Sequence, residues 1–195
     1  MSAFTAAAID FETTGSLLGF PNEPWQIGIA EIRDGRISTD FFDSLINVGD
    51  RPFNKYAPGR HAQLRDQIAV APTLEQLWPL VSQNLSGRVL VAHNTGTERS
   101  VLAAASPLHV FGPWIDTLIL SRYAWPGLPS HALEDVIAAL GLTPAVSARC
   151  PGRGPHDACY DAVASAALLL HLLEQPQWRS MTAADLVALC SGEKN

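Results

Sequence analysis

A mixed-sheet α/β fold is the expectation from three features of the chain. The N-terminal part carries three extended segments separated by turn residues, and the remainder alternates short apolar runs with longer helical patterns. The length, 195 residues with 47% hydrophobic content, is enough for one compact domain spanning 1–195 that buries about 70% of its unfolded surface.

Residues 4 to 11 read as the first strand and Trp25 to Arg33 as the second, the latter alternating around Ile27 and Ile29. Asp34-Gly35 is a tight-turn pair, so the third strand, 36 to 47, closes an antiparallel meander. Residues 48 to 71 have no clear period and contain Pro52, Pro58 and Gly59; they read as a surface connection with a short helix around 60 to 68. Thr73-x-x-Gln76 forms a capping-box pattern opening a helix to Leu85, against which only Pro79 argues. Arg88 to Ala92 is a short apolar strand and Thr97 to Ala105 a helix. Trp114-Ile115 leads into a helix from Asp116 to Ala124, stopped by Pro126. Ser130 is the expected cap of the next helix, which ends before Gly141. Residues 142 to 155 read as a Gly/Pro/Arg loop, Asp157 to Leu173 as a strongly apolar helix, and Thr182 as the cap of a last one.

Composition narrows the function classes. The net charge is −6, with 13 Lys and Arg against 19 Asp and Glu, which argues against broad electrostatic coating of a nucleic-acid duplex. Cys150, Cys159 and Cys190 have neither disulfide-framework nor zinc spacing, so a reducing, cytoplasmic setting is expected. The first residues lack a basic stretch leading into a long apolar run, and no apolar run of 18 residues occurs, so neither secretion nor a membrane partner is expected.

Three constellations carry chemistry. In Ala8-Ile9-Asp10-Phe11-Glu12-Thr13-Thr14-Gly15 a strand displays Asp10 and Glu12 on one face. Two close carboxylates among apolar neighbours repel each other and resist desolvation unless a cation compensates them. The alternative is an edge strand with both acids in water. The second, Ala92-His93-Asn94-Thr95-Gly96-Thr97-Glu98, ends a buried strand and opens a helix with an acid in its first turn. Glu98 there is either a site acid or a helix-dipole residue, and His93 and Asn94 either line a site or satisfy local backbone groups. The third, His156-Asp157-Ala158-Cys159-Tyr160-Asp161, sets a carboxylate into an otherwise apolar helix, where it either meets a cation or cleft or lies on a polar stripe with Asp157 and Ser165.

Taken together these segments resemble the DEDDh family of 3′-to-5′ exonucleases, over nearly the whole chain. Asp10-Phe11-Glu12-Thr13-Thr14-Gly15 is similar to the family's first motif, Ala92-His93-Asn94 with Glu98 to its second, and His156-x-x-x-x-Asp161 to its third. His61, Ala71-Pro72-Thr73, Asp116-Thr117, Leu133-Glu134-Asp135 and Gly141-Leu142 echo the segments between. The chain departs from the family in having Thr97-Glu98 where most members have an aromatic residue followed by Asp, and Gln26 where many have Glu.

The resemblance implies a ribonuclease H-like exonuclease fold, a five-stranded mixed sheet of an antiparallel meander plus parallel strands flanked by helices. It also implies hydrolysis of single-stranded DNA or RNA from the 3′ end to nucleoside 5′-monophosphates. Two Mg2+ or Mn2+ ions would be held by Asp10, Glu12, Asp161 and Glu98, with His156 as the general base. Oxygen ligands suit such hard cations. The backbone of Thr13, Thr14 and Gly15 and the Glu12 carboxylate would read the terminal nucleotide, with Leu17 or Leu18 packing against its base; His93 and Asn94 would line the substrate site, and Arg153, with Arg149, would contact phosphate or stand as a solvated loop charge. The resemblance further implies a role in DNA repair or RNA processing, and it leaves open a polymerase partner and a homodimer. Two other classes compete: a non-catalytic nucleic-acid- or polymerase-binding protein, for which an acid or His would be missing, and an aspartyl phosphatase, which needs a second Asp where Glu12 stands.

Overall fold

A computed structural model describes residues 4–192; Met1 to Ala3, on which the reading of the chain's first residues partly rests, lie outside them. Five strands, β1 (Ala6–Thr13), β2 (Pro24–Arg33), β3 (Arg36–Leu45), β4 (Leu90–Ala92) and β5 (Trp114–Asp116), form one sheet in the order β3-β2-β1-β4-β5. The meander β1-β2-β3 is antiparallel, and β4 and β5 add to it in parallel. Asp34 and Gly35, with φ of 51° and 72°, make the β2–β3 turn; the two positive φ angles match the twist of the strands they join.

Among the described residues eight helices flank the sheet: α1 (Arg65–Ala69), α2 (Leu74–Leu85), α3 (Gly96–Ala105), α4 (Thr117–Ala124), α5 (Leu133–Ala139), α6 (Thr143–Arg149), α7 (Ala158–Glu174) and α8 (Ala183–Ser191). The period-2 alternation of β1 divides the core. Ala7, Ile9 and Phe11 pack with Leu77, Val81 and Leu85 of α2 and Val101 and Leu102 of α3, while Ala6 and Ala8 face Ala162, Val163 and Ala166 of α7. Asp10 and Glu12 therefore share the α7 face with Ala6 and Ala8. Among the described residues no helix is long and apolar enough to cross a membrane.

Several boundaries differ from the sequence reading. Strand β1 runs through its acids to Thr13, Glu12 pairing with Gln26 before the register shifts. The capping box of α2 forms on both sides, and Pro79 lies inside the helix without ending it. Trp114-Ile115 belongs to the fifth strand rather than to a helix approach. Residues 142 to 155 are not all loop: α6 occupies Thr143–Arg149 with a proline in its first turn, where a missing N–H is harmless. Ser130 does not cap α5, whose N-cap is Ala132; the Ser130 hydroxyl instead accepts a hydrogen bond from the Ala132 N–H at 3.2 Å.

Candidate active site

The start of α7 is pressed against the sheet at Gly28, which pairs with Asp10 in the register. A Cβ there would stand 2.2 Å from the Ala158 carbonyl oxygen, so only glycine lets the helix come this near. Asp157 caps α7, accepting from the Tyr160 N–H. Asp161, one turn on, then faces Asp10 and Glu12. Directly before the cap, His156 takes a φ of 62° and donates its backbone N–H to Asp161 Oδ2 at 2.9 Å. Gly59, at φ 91°, brings a second segment over the site, its Cβ position 3.0 Å from the His156 carbonyl oxygen and 3.4 Å from Glu12 Oε2.

Ligand atoms of Glu12, His156 and Asp161 lie within 4.8 Å of one another. Asp10 shares with His156 and Asp161 a cavity of about 390 Å3 that His93, Asn94, Arg122 and Glu134 also line. Glu98 enters from the first turn of α3 and is 3% exposed, with Oε2 lacking any hydrogen-bond partner. It is not a surface charge at a helix end.

The acids oppose one another's ionisation. Burial, then the charges of Asp161, Glu98 and Glu12, raise Asp10 well above the usual carboxylate range. Burial and the charges of Asp161 and Asp157 push Glu12 up to about 8. Burial likewise lifts Asp161 to about 7, against the His156 N–H that favours its anion. Glu98 rises to about 7 through burial, although its own backbone amide and that of Phe11 pull the other way. A buried acid cluster held together by apolar packing needs compensating positive charge to ionise, and its oxygen donors fit hard divalent cations.

The second motif is organised by Asp116, which the sequence marked only through the Asp116-Thr117 pair. Its Oδ1 accepts from the N–H groups of Asn94 at 3.0 Å and Leu118 at 2.9 Å, and its Oδ2 from the N–H and hydroxyl of Thr95. One carboxylate thus joins the approach to α3 to the start of α4. Both ring nitrogens of His93 are engaged, Nε2 donating to the His131 carbonyl at 2.8 Å and Nδ1 facing the Thr117 hydroxyl at 3.0 Å. Burial lowers its pKa, which favours the neutral ring. His93 frames the cavity rather than offering a free donor to substrate.

Arg153 departs furthest from expectation. Instead of a free phosphate contact it is an ion-pair centre, with Nη1 2.9 Å from Asp157 Oδ1 and Nη2 2.6 Å from Asp43 Oδ2. Arg60 reaches the other Asp157 oxygen at 3.1 Å. Against the upward push of burial, Arg153 keeps Asp157 below the usual carboxylate range. Gln26 completes the set, donating to Asp43 and accepting from the Ala158 N–H. Asp157 is therefore no polar-stripe residue. Arg149, at the end of α6, donates to the Ala145 carbonyl.

After the strand, Thr14 is buried and its hydroxyl accepts from the Glu23 N–H at 3.1 Å, while the Thr13 carbonyl accepts from Trp25 Nε1. Gly15 turns at φ 74°. Leu17 is half-buried and bridges to Phe20, leaving Leu18 at the tip fully exposed. Beyond Asn94 a second cavity, about 860 Å3, is lined by Gly96, Thr97 and Ser100 of α3, by Asn47 and Val48, and by Thr73, with no Lys or Arg among its lining residues.

Comparison with known proteins bears on this arrangement. The family model RNase T, described as Exonuclease, matches residues 7–169. Exodeoxyribonuclease 10 of Escherichia coli (strain K12) is 29% identical over 179 residues, covering 91% of this chain and 73% of the relative. The solved structure of exonuclease X in complex with 5′ overhanging duplex DNA has a TM-score of 0.70 and 28% identity, covering 94% of this chain and 98% of that one. Pop2p of S. pombe, solved in a form bound to Mg2+ and Mn2+, shares the fold at a TM-score of 0.66 and 14% identity, with 93% and 87% coverage.

Proposed function

The chain belongs to the RNase T exonuclease family, in the DEDDh group of 3′-to-5′ exonucleases, and from that premise we propose how its residues divide the work. It is a metal-dependent 3′-to-5′ exonuclease, a phosphodiester hydrolase acting on nucleic acid. The finer assignment is single-stranded DNA or RNA as substrate and nucleoside 5′-monophosphates as products, made by one exonuclease domain over the described residues. Cytoplasmic placement is part of the proposal, supported by three free cysteines.

Asp10, Glu12, Asp161 and Glu98 are the residues assigned to hold two Mg2+ or Mn2+ ions. The orphaned, buried Glu98 Oε2 and the raised pKa values of all four acids support that fit. When bound, such ions neutralise phosphate charge and acidify water. His156 takes the proton of the attacking water, and its backbone tie to Asp161 fixes the distance between base and carboxylates. The backbone of Thr13 to Gly15 and the Leu17 side chain receive the terminal nucleotide. Asn94 and the framed His93 wall the cleft, and Arg153 holds the His156 loop through Asp157 instead of touching phosphate.

The observation that carries this reading is the convergence of Glu12, His156 and Asp161 within 4.8 Å from segments distant in sequence. The test is incubation of 5′-labelled DNA and RNA oligonucleotides with Mg2+, Mn2+ or chelator. A ladder shortening from the 3′ end, abolished by chelator, is expected, and His156→Ala should lower turnover by roughly 10² to 10⁴. Tight binding without shortening in any metal would replace this reading with the non-catalytic one.

A further inference from the structure

We infer that Arg122, in the last turn of α4, anchors the phosphate on the polymer side of the scissile bond. The inference rests on the exonuclease reading and adds to it the course of the strand. The two cavities, which meet at Asn94, differ in whether a cation lines them. The larger offers amides, hydroxyls and apolar surface from Asn47, Asn94, Thr97 and Val48, with Glu23 and Glu75 also in its lining and no cation, which suits a nucleoside and not a phosphate. The smaller contains the site acids Asp10 and Asp161 together with Glu134, and Arg122 is the one Lys or Arg among its lining residues.

A polyanion leaving Asp10 and Asp161 through the smaller cavity meets a further acid, Glu134, so a fixed positive charge is favoured on its path. Arg153 and Arg60 are committed to Asp157 and cannot supply it without breaking the cap of α7. Arg122 makes no ion pair or side-chain hydrogen bond among the described residues and is exposed to solvent. A favourable helix dipole explains a cation at the end of α4, but not its facing a cleft shared with the catalytic acids.

The helix that carries Arg122 is tied to the site. Asp116 caps α4 while gripping Asn94 and Thr95, and Ser121, the neighbour of Arg122, lies 2.9 Å from His131 Nδ1. His131 in turn accepts from His93 through its carbonyl. The guanidinium is thus presented from a braced wall, and its planar fork matches a phosphate's oxygens.

The test compares a dinucleoside monophosphate, which has only the scissile phosphate, with a trinucleotide, which adds one phosphate upstream. In wild type with Mn2+ the trinucleotide should have the lower KM. In Arg122→Gln that gain should shrink by about tenfold, the size expected for one charge-assisted contact, and the slope of log KM against log salt should fall by about 0.7. Arg122→Lys should keep the salt slope and part of the gain. An undiminished gain in Arg122→Gln overturns the inference, and so does an equal loss on both lengths, which would place the effect at the reacting centre. If wild type cuts neither length, the exonuclease reading fails instead. Arg122 is then read by anisotropy titration of a labelled oligonucleotide, where an unchanged salt slope in Arg122→Gln overturns the anchor.

Discussion

Gly28 and Ala158 approach so closely that a Cβ on the glycine would lie 2.2 Å from the alanine's carbonyl oxygen. That contact sets how far Asp161 stands from Asp10 and Glu12, because β1, paired with Gly28 of β2 at Asp10, carries two of the acids and the helix the third. Gly28→Ala must displace the first turn of α7. The expected outcome is a protein that still folds, with melting lowered by several degrees, since overpacking costs about 1–3 kcal/mol. Its exonuclease rate should fall at least as far as that of an acid-to-amide variant. A wild-type rate in Gly28→Ala would mean that the helix start does not determine the site.

Metal removal makes stability depend on pH with a defined sign. Glu12, Asp161 and Glu98 have folded pKa values of about 8, 7 and 7, against ordinary values of 4.5, 3.8 and 4.5. Raised carboxyl pKa values mean that the folded state binds more protons than the unfolded one between those limits, so stability drops as pH rises through the window. In chelator, melting temperature should decline from about pH 5 to pH 8, and Mn2+ should abolish the decline by binding only the folded, ionised site. Glu12→Gln should melt higher than wild type at pH 8 in chelator. A flat wild-type profile would show that the cluster is not strained.

Glu98 separates two readings of the second motif. A surface charge at a helix end contributes about 0.3–1 kcal/mol and nothing to catalysis. A buried carboxylate with an unpartnered oxygen behaves otherwise. Glu98→Gln should fold with unchanged or raised melting temperature, lose most activity and need far more Mn2+ for what remains, while Glu98→Asp stays active. Wild-type rate and metal dependence in Glu98→Gln would leave a three-carboxylate site.

Arg153 and Asp157 should act through His156. Asp157→Ala removes a helix cap worth about 1 kcal/mol, and either change frees the loop that holds His156 at positive φ. Both variants should lower kcat more than they raise KM. In a His156→Ala background Arg153→Ala should add little, because the group it positions is already gone. Fully multiplied losses would assign Arg153 a role independent of His156.

The chain's local signals carried far. Alternation drew the three meander strands, Asp34-Gly35 drew their turn, and Thr73-x-x-Gln76 and Thr182 marked two helix starts whose capping boxes both form. The spacing of Asp10 and Glu12 announced a shared face. Local patterns failed where a residue had two local uses: the proline in α6 read as a loop-former though it suits a first turn, and Ser130 read as a cap though Ala132 holds that place.

By itself the sequence determined most of the elements, since propensity, capping and periodicity depend on residues a few positions apart, and its three motifs, by their resemblance to the family, singled out the acids and His proposed for the chemistry. Tertiary structure alone decided what each polar group meets. Arg153 finds Asp43 across 110 positions, Asn94 finds Asp116 across 22, and Glu98 passes from a helix-end charge to a buried, unpartnered acid. Burial and long-range pairing are properties of the packed sheet and its helices, and the raised pKa values of Asp10, Glu12, Glu98 and Asp161 follow from them.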